Sequence, residues 1–277
     1  MKRLARLAPV ALYSVAFLAP GCGGDDDDGG GDEKRTPSAA LTERPTPKQP
    51  ITAEIAPFSR AISTQDCKKY YPLVLSFSRG ERTGTPATEA ECKGRDPEVA
   101  LLRGYRVELA AQYGTAGILD GPAGSGNKRR HTIWTLDGDG RFRYTQVTGT
   151  GTAAQAGTPF SDRKEARRLA EDFLAAVRER DCAAMARLFS PEGSRLVVNT
   201  GSTKAACRAV LEGEFLAPAV RKTPNPRIEV LGGTRNLAFV GVATKDIYFT
   251  MTMGDGGKPK LRLFDVVPSS PVKLPNR

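Results

Sequence analysis

The 277-residue chain has one histidine, His131, and one tryptophan, Trp134. Ser-His-Asp, Cys-His and multi-histidine zinc chemistry would all have to run through that single imidazole. Apolar runs are equally scarce: only residues 7 to 19 form a long one, in a chain of 39% hydrophobic and 26% charged residues with mean hydropathy −0.36. A multispanning membrane protein is excluded. The 29 glycines and 20 prolines fall in short clusters without a fixed period, which excludes collagen and leaves a globular chain with flexible joints. The length accommodates one or two domains, each able to bury a core.

Lys2, Arg3 and Arg6 precede the apolar stretch Leu7 to Ala19, and Gly21-Cys22 follows directly. This is the pattern of a secretory signal peptide over residues 1–21, too short to span a bilayer comfortably and ending in small residues. Leu18-Ala19-Pro20-Gly21-Cys22 resembles the lipobox of bacterial lipoproteins, although Pro20 departs from the usual residue there. The resemblance implies that Cys22 is lipidated, becomes the new N-terminus and anchors the chain to the cell membrane on its extracytoplasmic side. Residues 22–50 carry Asp25 to Asp28, Gly29 to Gly31 and Pro37, Pro45, Pro47 and Pro50 with almost no large apolar side chain, so a disordered tether is expected there. Four adjacent carboxylates in a glycine-rich coil lack the scaffold that a calcium site needs.

Residues 51–277 carry 34 Lys+Arg against 24 Asp+Glu, a net charge of +10, while the tether is acidic. A basic body outside the cytoplasm can meet anionic phospholipid or an anionic wall polymer, and nucleic acid is not an expected partner there. A solvated basic surface with no dedicated partner is the plainer alternative.

Four cysteines remain beyond Cys22. Cys67 and Cys92 are 25 residues apart, Cys182 and Cys207 are also 25 apart, and the pairs are offset by 115. Each first cysteine follows an aspartate, Asp66 or Asp181, and each has a phenylalanine nine residues upstream, Phe58 or Phe173. Asp139-Gly140 and Asp255-Gly256 repeat at nearly the same offset. The chain reads as duplicated.

In the second copy Asp162 and Glu165 resemble a capping signal, followed by Leu169, Phe173 and Val177 at helical spacing. Shorter helices are expected around Met185 to Phe189 and Lys204 to Leu211, then strands at Arg227 to Leu231, Leu237 to Thr244, Ile247 to Met253 and Leu261 to Val267. The first copy follows suit: a helix through Ile55, Phe58 and Ile62, a segment from Tyr70 to Phe77, and strands near Tyr105 to Leu109, Thr115 to Leu119, Thr132 to Leu136 and Arg141 to Val147. Helices precede an antiparallel sheet, so the fold class is α+β. The expected layout is domain 1 over 51–148, a linker over 149–160, domain 2 over 161–268 and a tail over 269–277.

A leading amphipathic helix ending in Asp-Cys, short helices and a bent four-stranded sheet resemble the NTF2-like (SnoaL-like) α+β cone over about 51–150 and 162–268. The segments Phe173 to Cys182 and Ile228 to Phe239 carry the likeness. The resemblance implies two tandem cones, each with N-terminal helices packed on a curved sheet; a cystatin-like helix on a sheet is the nearest alternative. Two equally spaced cysteine pairs in an exported chain read as disulfides, and the repeat favours Cys67 with Cys92 and Cys182 with Cys207. Redox or metal chemistry would need closer Cys-x-x-Cys or Cys/His spacing, so no metal and no cofactor is expected.

Gly121 to Lys128 looks like a phosphate loop until Asn127 is found where the Lys directly after the second glycine belongs; it reads as a hairpin loop. Asp137-Gly138-Asp139-Gly140 is followed by Arg141 and Arg143 at would-be calcium positions and reads as a hairpin turn. Lys128, Arg129, Arg130 and His131 read as a solvated strand edge. Enzymes of the resembled family, such as ketosteroid isomerases and polyketide cyclases, use a carboxylate with Tyr or acid donors. Asp66, Asp181, Tyr105, Tyr113 and Tyr248 are the available parts, though both aspartates read first as helix caps. Trp134, Phe142, Phe239 and Phe249 read as core. The sequence therefore points to an envelope lipoprotein that binds a small apolar ligand or an envelope partner without catalysis. An isomerase- or cyclase-type enzyme and a structural spacer are the alternatives.

Overall fold

The computed structural model describes residues 40–74, 102, 104–107, 109–123, 128–148, 163–189, 203–213, 215–234, 237–254 and 262–268. The protein is α+β, and residues Ala39–Arg277 make one unit. A 3₁₀ turn, Ile51–Glu54, leads into α1 (Ile55–Ser63), α2 (Cys67–Tyr70) and a second 3₁₀ turn, Tyr71–Leu73. Strands β1 (Leu109–Tyr113), β2 (Ala116–Ala123), β3 (Lys128–Leu136) and β4 (Phe142–Thr148) form an antiparallel sheet in sequence order. Then come α3 (Arg163–Glu179), α4 (Cys182–Leu188), α5 (Thr203–Glu212) and α6 (Leu216–Arg221). A second antiparallel meander follows: β5 (Arg227–Gly233), β6 (Leu237–Ala243), β7 (Tyr248–Gly254) and β8 (Arg262–Pro268).

Helical spacing explains α3. Ala166, Leu169, Ala170, Phe173, Leu174 and Val177 are buried along one stripe, while Arg167–Glu171 and Arg168–Asp172 pair along the wet face. That stripe packs on Val240, Val242, Phe249 and Met251 of the second sheet. The corresponding face of α1, Phe58, Ala61 and Ile62, packs with Trp134, Phe142 and Tyr144 of the first. Phe58 meets Trp134 edge to face at 4.8 Å, and the indole Nε1 donates to Thr132 Oγ1 at 2.9 Å.

The corner after each leading helix is the same at atomic level. Gln65 and Arg180 adopt left-handed φ values of 51° and 57°. Asp66 N donates to Ala61 O and Asp181 N to Ala176 O, both at 2.9 Å. Gln65 N and Arg180 N donate to Ile62 O and Val177 O, completing a Schellman motif in both places. Each aspartate then caps the next helix: Asp66 accepts from Lys68 N and Lys69 N, Asp181 from Ala183 N and Ala184 N.

Cys182 and Cys207 form a disulfide joining α4 to α5, with Cα atoms 5.5 Å apart. Cys67 is also disulfide-bonded, while Cys22 and Cys92 lie outside the described residues.

β6 and β7 are buried at every position. One face of each lies under α3 and the other is covered by the first sheet. Ala116, Ile118 and Ile133 pack there with Leu237 and Phe239, and Tyr113 stacks on Phe239 at 5.7 Å. Thr115 and Thr250 hydroxyls hydrogen-bond across the seam at 2.8 Å. Gly232, at φ +144°, lies where a Cβ would come within 2.5 Å of the Tyr113 ring, so a side chain there would push the sheets apart.

Four expectations need correction. The tether expected over 22–50 does not extend to residue 50: residues 40–50 lie as an extended strap on the body. Thr42 N donates to Thr244 O at 2.7 Å and Lys48 N to Gly140 O at 2.8 Å, so these backbone groups satisfy folded-chain partners instead of water. The basic cluster Lys128 to His131 is not an edge: it belongs to β3, an inner strand, and pairs with Asp120 to Ala123 of β2. The expected strand near Tyr105 to Leu109 instead starts at Leu109. Tyr105 N is held in a turn by Leu102 O, and its hydroxyl donates to Leu119 O. The Tyr70 to Phe77 segment leaves helical geometry at Val74, which bridges to Tyr144. Of its residues, 75–77 lie outside the described ones.

Because Trp134 belongs to the first half, its fluorescence reports on that half alone. Phe239→Ala, in the second half, should cost about 3–5 kcal/mol and shift the Trp134 denaturation midpoint. An unmoved Trp134 transition would show the halves to be independent. Removing the second disulfide with Cys182→Ser and Cys207→Ser should cost about 3 kcal/mol for a loop of this length, measurable by denaturant titration.

Candidate functional site

The interior of each helix–sheet layer is occupied by side chains. In the first half Phe58, Tyr70, Tyr105, Trp134, Phe142 and Tyr144 fill the space; in the second Phe173, Met185, Phe189, Phe249, Met251 and Met253 do so. The two openings that stand out flank β5 instead. An open groove of about 870 Å³ lies between the strap, the start of α3 and β5. Its rim carries Arg44, Lys164, Arg167 and Arg227 against Glu43 and Glu229. A smaller pocket of about 320 Å³ lies beside it, bounded by Tyr113, Ala166, Leu231 and Gly232. Arg44 is bonded to Glu229 at 2.6 Å and Arg167 to Glu171 at 3.0 Å, and all four side chains remain roughly half exposed. Such pairs contribute only about 0–1 kcal/mol each, so neither locks the groove shut.

The residues weighed for enzyme chemistry are not brought together. Asp66 is a partly exposed cap; the Lys69 ammonium, 2.9 Å from Oδ2, hydrogen-bonds it and holds its pKa below the usual carboxylate range. Asp181 is the matching cap of α4. Tyr105 is buried with its hydroxyl on Leu119 O, and desolvation pushes its pKa well up. Tyr113 lies on the seam against Phe239. Tyr248 is buried, and desolvation raises its pKa against the hydrogen bond from Thr115. Trp134, Phe142 and Phe249 are core side chains as expected, whereas Phe239 belongs to the seam.

Three carboxylates are buried, and two of them, Asp120 and Glu54, escaped the sequence reading. Asp120 takes Arg129 Nε at 3.1 Å and Nη2 at 2.5 Å and has His131 Nδ1 at 3.4 Å, so the sole histidine faces an acid already engaged by a guanidinium. The signal for this was present: the register opposes Asp120 to His131. Asp137 accepts from Asp139 N, Arg141 N and Arg143 Nε, which explains the hairpin without any metal. Glu54 is fully buried; Oε1 accepts from Gln49 at 2.6 Å and Arg141 at 3.2 Å, and Oε2 has no hydrogen bond. The 115-residue offset places Leu169 opposite it, so no repeat pattern marks it. Among the described residues, no group of three or more His, Cys, Asp or Glu is gathered as metal ligands, and no helix is long and apolar enough to cross a membrane.

The chain matches no protein-family model, and no curated protein matches it significantly.

The Asp66 cap gives a pH test. Asp66 has a lowered folded pKa, so its contribution is fully present above the ordinary carboxylate range and is lost as pH falls through it. The melting-temperature difference between the wild type and Asp66→Ala should be largest at neutral pH and shrink on acidification. Asp181→Ala should cost about 1 kcal/mol at neutral pH. Thermal melts, across pH for Asp66→Ala and at neutral pH for Asp181→Ala, read both.

Proposed function

We propose that this chain is an exported, lipid-anchored protein of a bacterial cell envelope that binds at its outer surface and catalyses no reaction. On this reading residues 1–21 are removed, Cys22 carries the lipid, and two tandem NTF2-like cones stand beyond the membrane. The signal pattern and lipobox-like segment support export. The duplicated Schellman corner supports the tandem repeat, and the disulfides fit an oxidising compartment, with Cys67 assigned to Cys92 by the repeat.

The observation that carries the binding reading is the filled interior of both helix–sheet layers. An isomerase- or cyclase-type site needs a cavity with a carboxylate facing a tyrosine. Here Tyr105 is spent on Leu119 O and Asp120 on Arg129, and neither residue lines the groove or the smaller pocket. The spacer reading would require a broad exposed apolar face for assembly, whereas Leu109 is the one large hydrophobic exposed among the described residues. What remains open to a partner is the side of the body around β5.

Fractionation of cells expressing the wild type and Cys22→Ser is the direct test of anchoring. The wild type should pellet with membranes and the variant should be released. Equal membrane association of both proteins defeats the anchor assignment. Native mass spectrometry of the same material reads the other half of the proposal: a copurifying apolar molecule retained in stoichiometric amount would move the binding site from the outer surface to the interior.

A further inference from the structure

The groove beside β5 collects cations from three separate parts of the chain: Arg44 from the strap, Lys164 and Arg167 from α3, and Arg227 from β5. None of the three segments forms a basic site alone. Arg44 is placed by the strap's bonds to Thr244 O and Gly140 O, which correct the tether boundary and bring a residue 120 positions upstream beside Lys164. Lys164 and Arg167 are three residues apart on one helix face, above the buried Ala166 and Ala170 that fix α3 on the sheet. Arg227 begins β5, whose Ile228 and Val230 pack toward the same core.

The rim therefore presents four cations against Glu43 and Glu229. Three of the four are guanidiniums, whose planar fork suits two oxygens of one tetrahedral or carboxylate anion better than an ammonium does. Two of those guanidiniums, on Arg44 and Arg167, are held by half-exposed carboxylates. Pairs so exposed are weak and exchange readily for a stronger anion. The groove is open to solvent and its volume, about 870 Å³, far exceeds a single phosphate, so it has room for more than one charge of a chain.

We infer that this groove is a binding site for an extended polyanion bearing phosphate groups, held by Arg44, Lys164, Arg167 and Arg227. This rests on the surface-binding reading above but not on the lipid anchor. Arg44 and Arg167 release Glu229 and Glu171 to take phosphate oxygens, while Lys164 and Arg227 supply charge from the two fixed walls. Because Arg44 rides on the strap, binding also fastens residues 40–50 to the body.

The test is calorimetric titration of linear polyphosphate into the full chain in detergent at low salt. Lys164→Glu with Arg227→Glu changes the groove. Arg168→Glu with Arg208→Glu makes the same change of charge on exposed side chains that do not line it. The groove pair should weaken binding about tenfold or more and the control pair by less than about twofold, with circular dichroism unchanged in both. Inorganic phosphate should bind more weakly than the polymer. Sedimentation of the Cys22→Ser chain with anionic phosphatidylglycerol vesicles separates a lipid source of phosphate from a polymeric one. Absence of polyphosphate binding to the wild type overturns the proposal, as does equal weakening by the two pairs, which would indicate net charge alone. Vesicle binding that depends on the groove without polyphosphate binding overturns the choice of occupant. Loss of membrane anchoring in Cys22→Ser with groove binding intact separates this proposal from the anchor reading.

Discussion

The burial of β6 and β7 on both faces is the constraint on which the rest of the structure depends. A meander in a two-layer α+β unit ordinarily keeps one face wet and alternates apolar and polar residues. Leu237-Ala-Phe-Val-Gly-Val-Ala243 does not alternate; Phe249-Thr-Met-Thr-Met253 does, yet its threonines are buried as well. Their second face is covered only because the first sheet lies against it through Ile118, Ile133 and Tyr113. Isolated in water, the second half would expose Phe239, Leu237 and Tyr248 together. Each half is thus the other's solvent shield, and the strap, bonded to Thr244 on one side and Gly140 on the other, ties them a second time.

The seam also explains where tolerance to substitution ends. Thr115, Thr250 and Thr252 stand among apolar neighbours, and the bond between Thr115 and Thr250 satisfies two hydroxyls at once. Gly232 and Gly241 face Tyr113 and Tyr248, so the aromatic rings occupy space that a Cβ would take. Gly232 makes room for a ring from the other sheet, as close sheet-to-sheet approach demands, whereas Gly241 makes room for Tyr248 of the neighbouring strand in its own sheet.

Much of this was legible along the chain. Every strand of the second meander falls within about a residue or two of its expected limits because its strands are long apolar runs separated by turn residues. The equal cysteine spacing and the two Asp-Cys dipeptides anticipated a corner that proves identical down to its hydrogen bonds. What escaped has a common character. The strap is polar and proline-rich, with no periodic apolar face, so its docking through backbone groups leaves no trace in hydropathy. The α6 helix, Leu-Ala-Pro-Ala-Val-Arg, is six residues with a proline, below the length at which periodicity speaks. The clustering of Lys128 to His131 suggested an exposed edge, yet an inner strand holds it because Asp120 supplies the countercharge from across the ladder. The unbroken apolar run of β6 was visible, and its meaning, a covered second face, required knowing that another sheet was available.

The same economy shapes the candidate site. Asp137 is saturated by its own hairpin, Asp120 is engaged on Oδ2 by Arg129, and Glu54 is engaged on one oxygen by Gln49 and Arg141. These carboxylates neutralise cations where water is scarce, and the aromatic side chains fill the remaining interior volume. Around β5, cations from three otherwise distant segments form one outward-facing surface. Two of those segments are fixed by the second core, through α3 and β5. The third, the strap, buries none of its residues and is held by the backbone bonds of Thr42 and Lys48, the Gln49 bond to Glu54 and an exposed ion pair, the weakest attachment of the three. An anion arriving in the groove therefore meets two rigid cationic walls and one that can adjust, so a ligand's phosphate spacing can be accommodated without disturbing either core.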